Sequence, residues 1–137
     1  MPAPQQYAAH GAYDFEWKGE VLCIRFFGVF NIEAVEVFCT DLRQTVAQRG
    51  LTRWGRLADL RQWQGITPEG KEAYAALSDW YPGAGAVAHV QLYPSAFTQS
   101  MADTVNQSVA RVGPVKQCDS VEEGLAWLQG FGLAITD

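Results

Sequence analysis

The run Gly65–Lys71 has the glycine and lysine spacing of a phosphate-binding loop, GxxxxGK. In such a loop, backbone amides surround the phosphates and a Ser or Thr after the lysine holds magnesium. Here Glu72 stands at that position, Pro68 removes one amide, and Glu69 places negative charge beside the phosphates. The sequence therefore predicts a turn and a helix start at this run, and no nucleotide site.

The other reactive side chains do not form a catalytic or metal-binding set. His10 and His89 are two histidines far apart in the chain, which is too few and too separated for a metal site. Ser78 and Ser95 lack the strand-to-helix elbow of a hydrolase nucleophile. No paired carboxylates indicate acid–base catalysis. We therefore predict a protein that is not an enzyme and that uses no cofactor and no metal.

Composition and length limit the number of domains, the class of partner and the cellular location. The chain has 137 residues, the size of one domain, and a formal net charge of −5, which disfavours nucleic-acid binding. Cys23, Cys39 and Cys118 form no CxxC pair, as is typical of reduced thiols in the cytoplasm. Residues 1–11 lack the pattern of a signal peptide, and no window approaches about eighteen consecutive apolar residues. We predict a protein of the cytoplasm or of the membrane periphery.

Basic residues are concentrated in the middle of the chain. This stretch contains Arg43, Arg49, Arg53, Arg56, Arg61 and Lys71. One interpretation is a set of solvated charges at a helix end and a strand flank. The other interpretation is a local binding site for an anionic headgroup or a phosphate. The sequence leaves both open.

Hydrophobic periodicity alternates between strand and helix patterns. Alternation from Tyr13 to Trp17, followed by the apolar run Val21–Phe27, predicts an antiparallel hairpin. Asn31 as N-cap and Gly50 as terminator delimit a first amphipathic helix. The later predicted elements are strands at Trp54–Leu60, Ala86–Tyr93 and Pro114–Cys118 and helices capped by Thr67, Ser95 and Ser120.

A hairpin followed by repeated helix–strand units predicts an α/β fold with one mostly parallel sheet. The predicted domain spans residues 13–132, between an N-terminal tail of residues 1–12 and a C-terminal tail of residues 133–137.

The fourth predicted strand has one apolar and one polar face. Ala88, Val90 and Leu92 alternate with His89 and Gln91. Parallel sheets are normally covered on both faces and contain unbroken apolar runs. We therefore predict helices mainly on one side of the sheet and a polar side that is wet or covered by a second subunit in a homodimer.

The carboxyl ends of the predicted strands are rich in aromatic residues. Ligands of open α/β sheets bind beyond these ends. The residues there are Phe30, Arg61, Trp63, Tyr93, Ser95, Phe97 and Met101. Ordinary closure of the core is one interpretation, and a groove for a small apolar or amphipathic ligand is the other. In the groove, Arg61 meets an anionic head while Trp63, in a loop after the third strand, and Phe97 cover the apolar body.

Three segments carry a family resemblance. The first is Gly28–Phe30 together with Ile32–Ala34. The second is Asp59–Gly65, which is similar to the family pattern D-L-x-x-aromatic-x-G. The third is Ser120–Leu128, which is similar to the family pattern E-E-A-x-x-W-L. Together they resemble the bacterial SpoIIAA-like family, which is related to STAS domains and to the CRAL-TRIO lipid-carrier fold. The resemblance covers roughly residues 13–132. It implies a right-handed β-α superhelix with one mixed five-stranded sheet, an antiparallel first strand and about four main helices.

The resemblance also bears on function. Anti-sigma-factor antagonists of the wider group are switched by phosphorylation of a Ser in a D-S-S-G segment before the second helix. Here that segment is Gly65–Gly70, in which Thr67 is the one hydroxyl that could accept a phosphate and is also explained as a helix cap. Because this segment lacks the D-S-S-G pattern, the sequence argues against a switch operated by phosphorylation. The lipid-carrier relatives favour binding of a lipid-like ligand or a membrane surface, and a regulatory protein–protein interaction module is the alternative.

Overall fold

The computed structural model describes residues 11–136, so that His10 and most of the predicted N-terminal tail lie outside the described residues. The strands are β1 (Ala12–Lys18), β2 (Val21–Phe30), β3 (Trp54–Ile66), β4 (Ala86–Leu92) and β5 (Val115–Gln117). The helices are α1 (Ile32–Arg49), α2 (Pro68–Tyr74), α3 (Leu77–Gly83), α4 (Gln99–Ala110) and α5 (Val121–Gln129).

The strands form one sheet in the order β1-β2-β3-β4-β5. β1 is antiparallel to β2, and every later neighbour is parallel. This confirms the predicted α/β class with one mixed sheet. The single helix predicted to run from Thr67 to about Tyr81 is broken at Ala75–Ala76 into α2 and α3. The roughly four helices that the resemblance implies therefore appear as five segments.

Helices cover both faces of the sheet and form two cores. On one face, α1, α2 and α3 pack over Leu22 and Trp54, and α1 contributes Phe38. On the other face, α5 packs over Val90 and contributes Leu128. α4 lies beside β5, where Gln99 hydrogen-bonds Gln117. The second core is the smaller of the two, because α5 is the one helix described on that face.

The prediction that the polar residues of the fourth strand face an open side of the sheet is wrong. His89 and Gln91 are 0% and 1% exposed, and His89 contacts the ring of Tyr81 in α3. Polar strand residues can be buried there because the covering helices supply polar and aromatic partners. The open part of the sheet is the opposite face of β1 and β2, where Arg25 binds Asp14 with two hydrogen bonds. A homodimer stays a prediction.

Side-chain caps set several helix boundaries. α4 begins later than predicted because Thr98, not Ser95, caps it, accepting the N–H of the third helical residue at 3.2 Å. Ser95 lies in an exposed turn. Ser120 caps α5 as predicted, since its Oγ accepts the N–H of Glu123 at 3.1 Å. The Glu123 carboxylate accepts the N–H of Asp119 at 2.8 Å.

The chain after α5 packs against the β1–β2 turn. Leu133 is 3% exposed, and the N–H of Glu20 donates to the carbonyl of Ala134 at 2.7 Å. Gly19 permits this approach, because a Cβ there would lie 2.4 Å from the Ala134 oxygen. These contacts lie beyond the predicted domain boundary at residue 132.

Candidate functional site

β2 and β3 extend beyond the rest of the sheet. The last pair between β3 and β4 is Asp59 with Leu92, whereas β3 stays paired with β2 as far as Ile66. We call residues 27–30 of β2 and 62–66 of β3 the projecting ribbon. Trp63 lies inside this ribbon, paired with Gly28, so the prediction that it occupies a loop is wrong. The strand continues because its backbone groups find partners on β2.

Three aromatic residues predicted for the site lie together at the carboxyl end of the sheet. The ring of Trp63 lies 5.9 Å from that of Phe97, and Phe97 stacks on Tyr93 at 5.6 Å with an interplanar angle of 13°. All three side chains are half-buried. The rings therefore contact one another and form an aromatic cluster (Trp63, Tyr93 and Phe97) at the base of the projecting ribbon.

Arg61 is ion-paired. Its Nε and Nη2 donate to the two carboxylate oxygens of Asp59 at 2.9 and 2.7 Å. Burial by itself would raise the pKa of Asp59, but the hydrogen bonds from Arg61 outweigh it and hold that pKa below its usual range. The Arg61 guanidinium is 47% exposed, so one side of it still faces solvent. An anionic head that binds Arg61 must share it with Asp59.

The remaining predicted site residues lie apart from the aromatic cluster. Phe30 is 3% exposed and packs its ring against Phe26 and Tyr13, so it belongs to the core. Its side chain turns inward because β2 continues through this residue. Ser95 is exposed in the turn before α4, and Met101 is 47% exposed in the first turn of α4.

A shallow cleft of about 210 Å³ lies between the loop after β4 and the loop after β5. Its lining includes Arg61, Tyr93, Ser95, Phe97, Gln99 and Gln117. Ligand pockets for drug-sized molecules usually occupy about 300–1,000 Å³. The cleft is therefore smaller than a pocket for a drug-sized molecule, and its volume limits an occupant to a small ligand or to one end of a longer chain.

A buried polar cluster under α2 and α3 is absent from the sequence predictions. Arg56, one of the six basic residues noted in the middle of the chain, is 4% exposed. Its Nη1 donates to Oε1 of Gln91 at 2.8 Å and its Nη2 to the hydroxyl of Tyr74 at 3.1 Å. The Tyr74 and Tyr81 hydroxyls are 3.0 Å apart, and the guanidinium lies 5.2 Å from the centre of the Tyr81 ring. An arginine inside the apolar strand Trp54–Leu60 was the signal that could have revealed it.

His89 belongs to the same buried cluster. It pairs with Arg56 across β3 and β4, so the two side chains leave the sheet on the same face. Burial, together with the Arg56 charge, lowers the pKa of His89 from its ordinary 6.5 to about 3. Burial also raises the pKa of Tyr81 well above its ordinary value. At neutral pH the cluster therefore carries the single positive charge of Arg56.

No family model and no curated protein matches the chain. Among solved structures, a SpoIIAA-like protein of the DUF3478 family from Shewanella loihica PV-4 is 16% identical over 88% of this chain and 94% of its own, with a TM-score of 0.68. The anti-sigma factor antagonist SpoIIAA in its unphosphorylated form is 20% identical over 87% of this chain and 99% of its own, with a TM-score of 0.57. The Bacillus cell-fate determinant SpoIIAA in its phosphorylated form is 18% identical over 85% of this chain and 99% of its own, with a TM-score of 0.58.

The chain has a SpoIIAA-like fold. At these identities the likeness establishes the architecture, which agrees with the five-stranded sheet and the helix order described above.

In this SpoIIAA-like domain, Thr67 stands at the start of α2. Its Oγ1 accepts the N–H of Gly70 at 3.1 Å, and its own N–H donates to the carbonyl of Phe30 at 2.9 Å. The hydroxyl that would take a phosphate therefore caps the helix, and Thr67 stays a predicted phosphoacceptor. The GxxxxGK run forms the end of β3, this cap and the first turn of α2, with Lys71 exposed to solvent.

No group of three His, Cys, Asp or Glu side chains within residues 11–136 is placed to hold a metal ion. None of the helices described there has the length and apolar character needed to span a bilayer.

Proposed function

We propose that this SpoIIAA-like domain is a regulatory protein-interaction module without enzymatic activity, and that it binds an anti-sigma factor through the projecting ribbon and the adjacent start of α4. The observation that carries the proposal is the ribbon itself. From residue 62 to residue 66, β3 is paired with β2, and no strand among residues 11–136 pairs with its other edge. Such an edge can accept backbone hydrogen bonds from a partner.

Apolar side chains are exposed on two elements near this edge, β2 and α4. Val29 in the ribbon is 45% exposed, and Met101 in α4 is 47% exposed. The aromatic cluster lies between β3 and α4, and the polar side chains of Gln62 and Gln64 are exposed on the ribbon. An apolar centre with aromatic residues and an uncharged polar border is typical of protein interfaces. The resemblance in fold to an anti-sigma factor antagonist supports the choice of partner.

Replacing Val29 or Met101 with aspartate is expected to weaken binding of the cognate anti-sigma factor about thirtyfold, because each places a charge in the apolar centre of the interface. Val37→Asp is the matched control, since Val37 is 50% exposed on α1, away from the ribbon. Isothermal titration calorimetry with each purified anti-sigma factor of the source organism measures the effect. The proposal is refuted if none of them binds, or if Val37→Asp weakens binding as strongly as Val29→Asp.

A second candidate function is binding of a small apolar or amphipathic ligand, or of a membrane surface, at the cleft beside the aromatic cluster. The specific observation in its favour is that the cleft places the half-exposed guanidinium of Arg61 beside the rings of Tyr93 and Phe97. Burial of an acyl chain contributes about 0.8 kcal/mol per methylene, so a short anionic amphiphile would gain from both groups.

Native mass spectrometry of the purified protein tests this second candidate. The expected result is a bound fatty acid or lipid that solvent extraction releases, and that is lost in Trp63→Ala and Phe97→Ala. Phe131→Ala is the control, because Phe131 is a half-buried aromatic residue that packs on α5. A protein of unmodified mass, whose tryptophan fluorescence responds to neither fatty acids nor anionic vesicles, would exclude a ligand at the cleft.

A further inference from the structure

Arg56 is a buried cation with no acidic partner. The ion pairs described within residues 11–136 involve Lys18, Arg25 and Arg61, and none involves Arg56. Its guanidinium is held by neutral groups alone: the amide oxygen of Gln91, the hydroxyl of Tyr74, and Tyr81, whose ring centre lies 5.2 Å away. A charge removed from water in this way is costly unless a counter-charge compensates it.

The other arginines show what Arg56 lacks. Arg25 and Arg61 each use Nε and Nη2 together to hold the two oxygens of one carboxylate. This paired geometry is the strong mode of oxyanion binding by arginine. In Arg56 the edge formed by Nε and Nη2 is only half used. Nη2 donates to the Tyr74 hydroxyl at 3.1 Å, whereas the buried Nε has no hydrogen-bond partner.

His89 supplies a second unpartnered group on the same face. Both of its ring nitrogens are buried without a hydrogen-bond partner, and the residue is 0% exposed. Because Arg56 and His89 are direct neighbours across β3 and β4, their unpartnered nitrogens leave the sheet side by side. A neutral imidazole carries one N–H donor. The Nε–H of Arg56 and the N–H of His89 are therefore two unused donors on one face of the sheet, next to the uncompensated positive charge of Arg56.

The cover over these groups consists of two short helices. α2 and α3 have seven residues each, and the first residue of α3 follows Ala76, which makes no side-chain cap. Helices of this length have little stability of their own. Tyr74, whose hydroxyl contacts Arg56, is half-buried, whereas Tyr81 is buried. Rotation of the Tyr74 side chain would therefore uncover the Nε and Nη2 edge of Arg56.

We propose that Arg56 and His89 form a cryptic site for an oxyanion, a carboxylate or a phosphate group, which replaces the Tyr74 hydroxyl at Nη2 of Arg56 and also binds Nε. The site is independent of the projecting ribbon and of the partner proposed for it. The Tyr74 hydroxyl acts as a neutral stand-in that keeps Nη2 hydrogen-bonded while the site is closed.

Titration with sodium phosphate and with sodium acetate, at constant ionic strength in sodium chloride, tests the site. The readouts are the thermal unfolding midpoint and the NMR signal of the Arg56 Nε–H group. We expect a saturable rise of the midpoint and a shift of that signal. Arg56→Met should abolish the rise, whereas Tyr74→Phe should bind the anion severalfold more tightly, because it removes the competing hydroxyl and keeps the ring on Phe38. Arg43→Met, at an exposed arginine of α1, should leave the affinity unchanged.

The two salts distinguish the possible sources of the anion. Saturation by phosphate alone assigns the site to phosphate groups, and saturation by acetate alone assigns it to carboxylates. If Arg56→Met does not fold, Arg56→Lys takes its place, since it keeps the charge but loses the paired donors and should bind at least tenfold more weakly. The proposal is overturned if neither salt gives a saturable effect, or if Tyr74→Phe and Arg56→Lys bind as the wild type does.

Discussion

Trp54→Ala is expected to lower the free energy of unfolding by about 3–5 kcal/mol, because it opens a large cavity in the main core. Trp54 is 0% exposed, and its ring lies 6.1 Å from each of the rings of Trp17 and Trp80. Its Nε1 also donates to the carbonyl of Ala84 at 2.9 Å, which fixes the turn before β4. Domains of this size are stable by about 5–15 kcal/mol, so the loss is a large fraction of the total.

Urea unfolding followed by far-ultraviolet circular dichroism measures this loss, since tryptophan fluorescence changes with the substitution itself. Trp54→Phe keeps part of the ring volume and loses the hydrogen bond to Ala84, so its stability should lie between those of the wild type and Trp54→Ala. Trp127→Ala is the control, since Trp127 is half-buried on α5 and should cost much less. A loss below about 1 kcal/mol for Trp54→Ala would contradict the packing around Trp54.

Local signals in the sequence predicted most of the architecture. Asn31 and Gly50 delimit α1 as expected, with Asn31 accepting the N–H of Ala34 and Gly50 in the left-handed conformation. Ser120 caps α5. These signals work because a cap depends on residues within one helical turn. The strand order follows from the helix–strand alternation, since crossovers between parallel strands leave few alternatives.

The break between α2 and α3 was not predictable, because no Gly or Pro marks Ala75 and Ala76. The physical reason for the break lies in tertiary packing. In a straight helix, residues seven apart are displaced by about 10 Å along the axis. Here the hydroxyls of Tyr74 and Tyr81 approach to 3.0 Å above Arg56. Contacts with a strand that precedes both helices thus override the local helix pattern.

The candidate site was predictable only in part. Trp63, Tyr93 and Phe97 come together because the carboxyl ends of parallel strands meet at one edge of the sheet. The extension of β3 was missed, since Arg61 and Gln62 are polar and hide a strand whose partner is β2. Burial of Arg56 was missed as well, because it depends on how α2 and α3 pack back over β3, which no local pattern indicates.

Acidification from pH 6.5 to pH 4.5 is expected to destabilise the protein through His89. The pKa of His89 is lowered to about 3 in the folded state, against about 6.5 in an unfolded chain. Between these two values the unfolded state binds one more proton than the folded state, so stability falls as the pH falls. The slope approaches about 1.4 kcal/mol per pH unit, or about 2–3 kcal/mol over this range. Asp59, whose pKa is lowered by the hydrogen bonds from Arg61, stays ionised over this range.

Urea unfolding at pH 6.5, 5.5 and 4.5 measures this slope, and His89→Phe is the variant that tests its origin. The phenyl ring can keep the edge contact with Tyr81 and cannot take up a proton, so the variant should show little loss down to about pH 4.5. His89→Gln is a second variant with the same expected loss of slope, should a phenyl ring beside Arg56 prove unstable. His10→Ala is the matched control and should keep the wild-type slope. The contrary result is a pH slope of the unfolding free energy that disappears in His10→Ala and persists in His89→Phe. In that case the proton is bound at another residue, and burial of a neutral His89 beside Arg56 does not limit stability in acid.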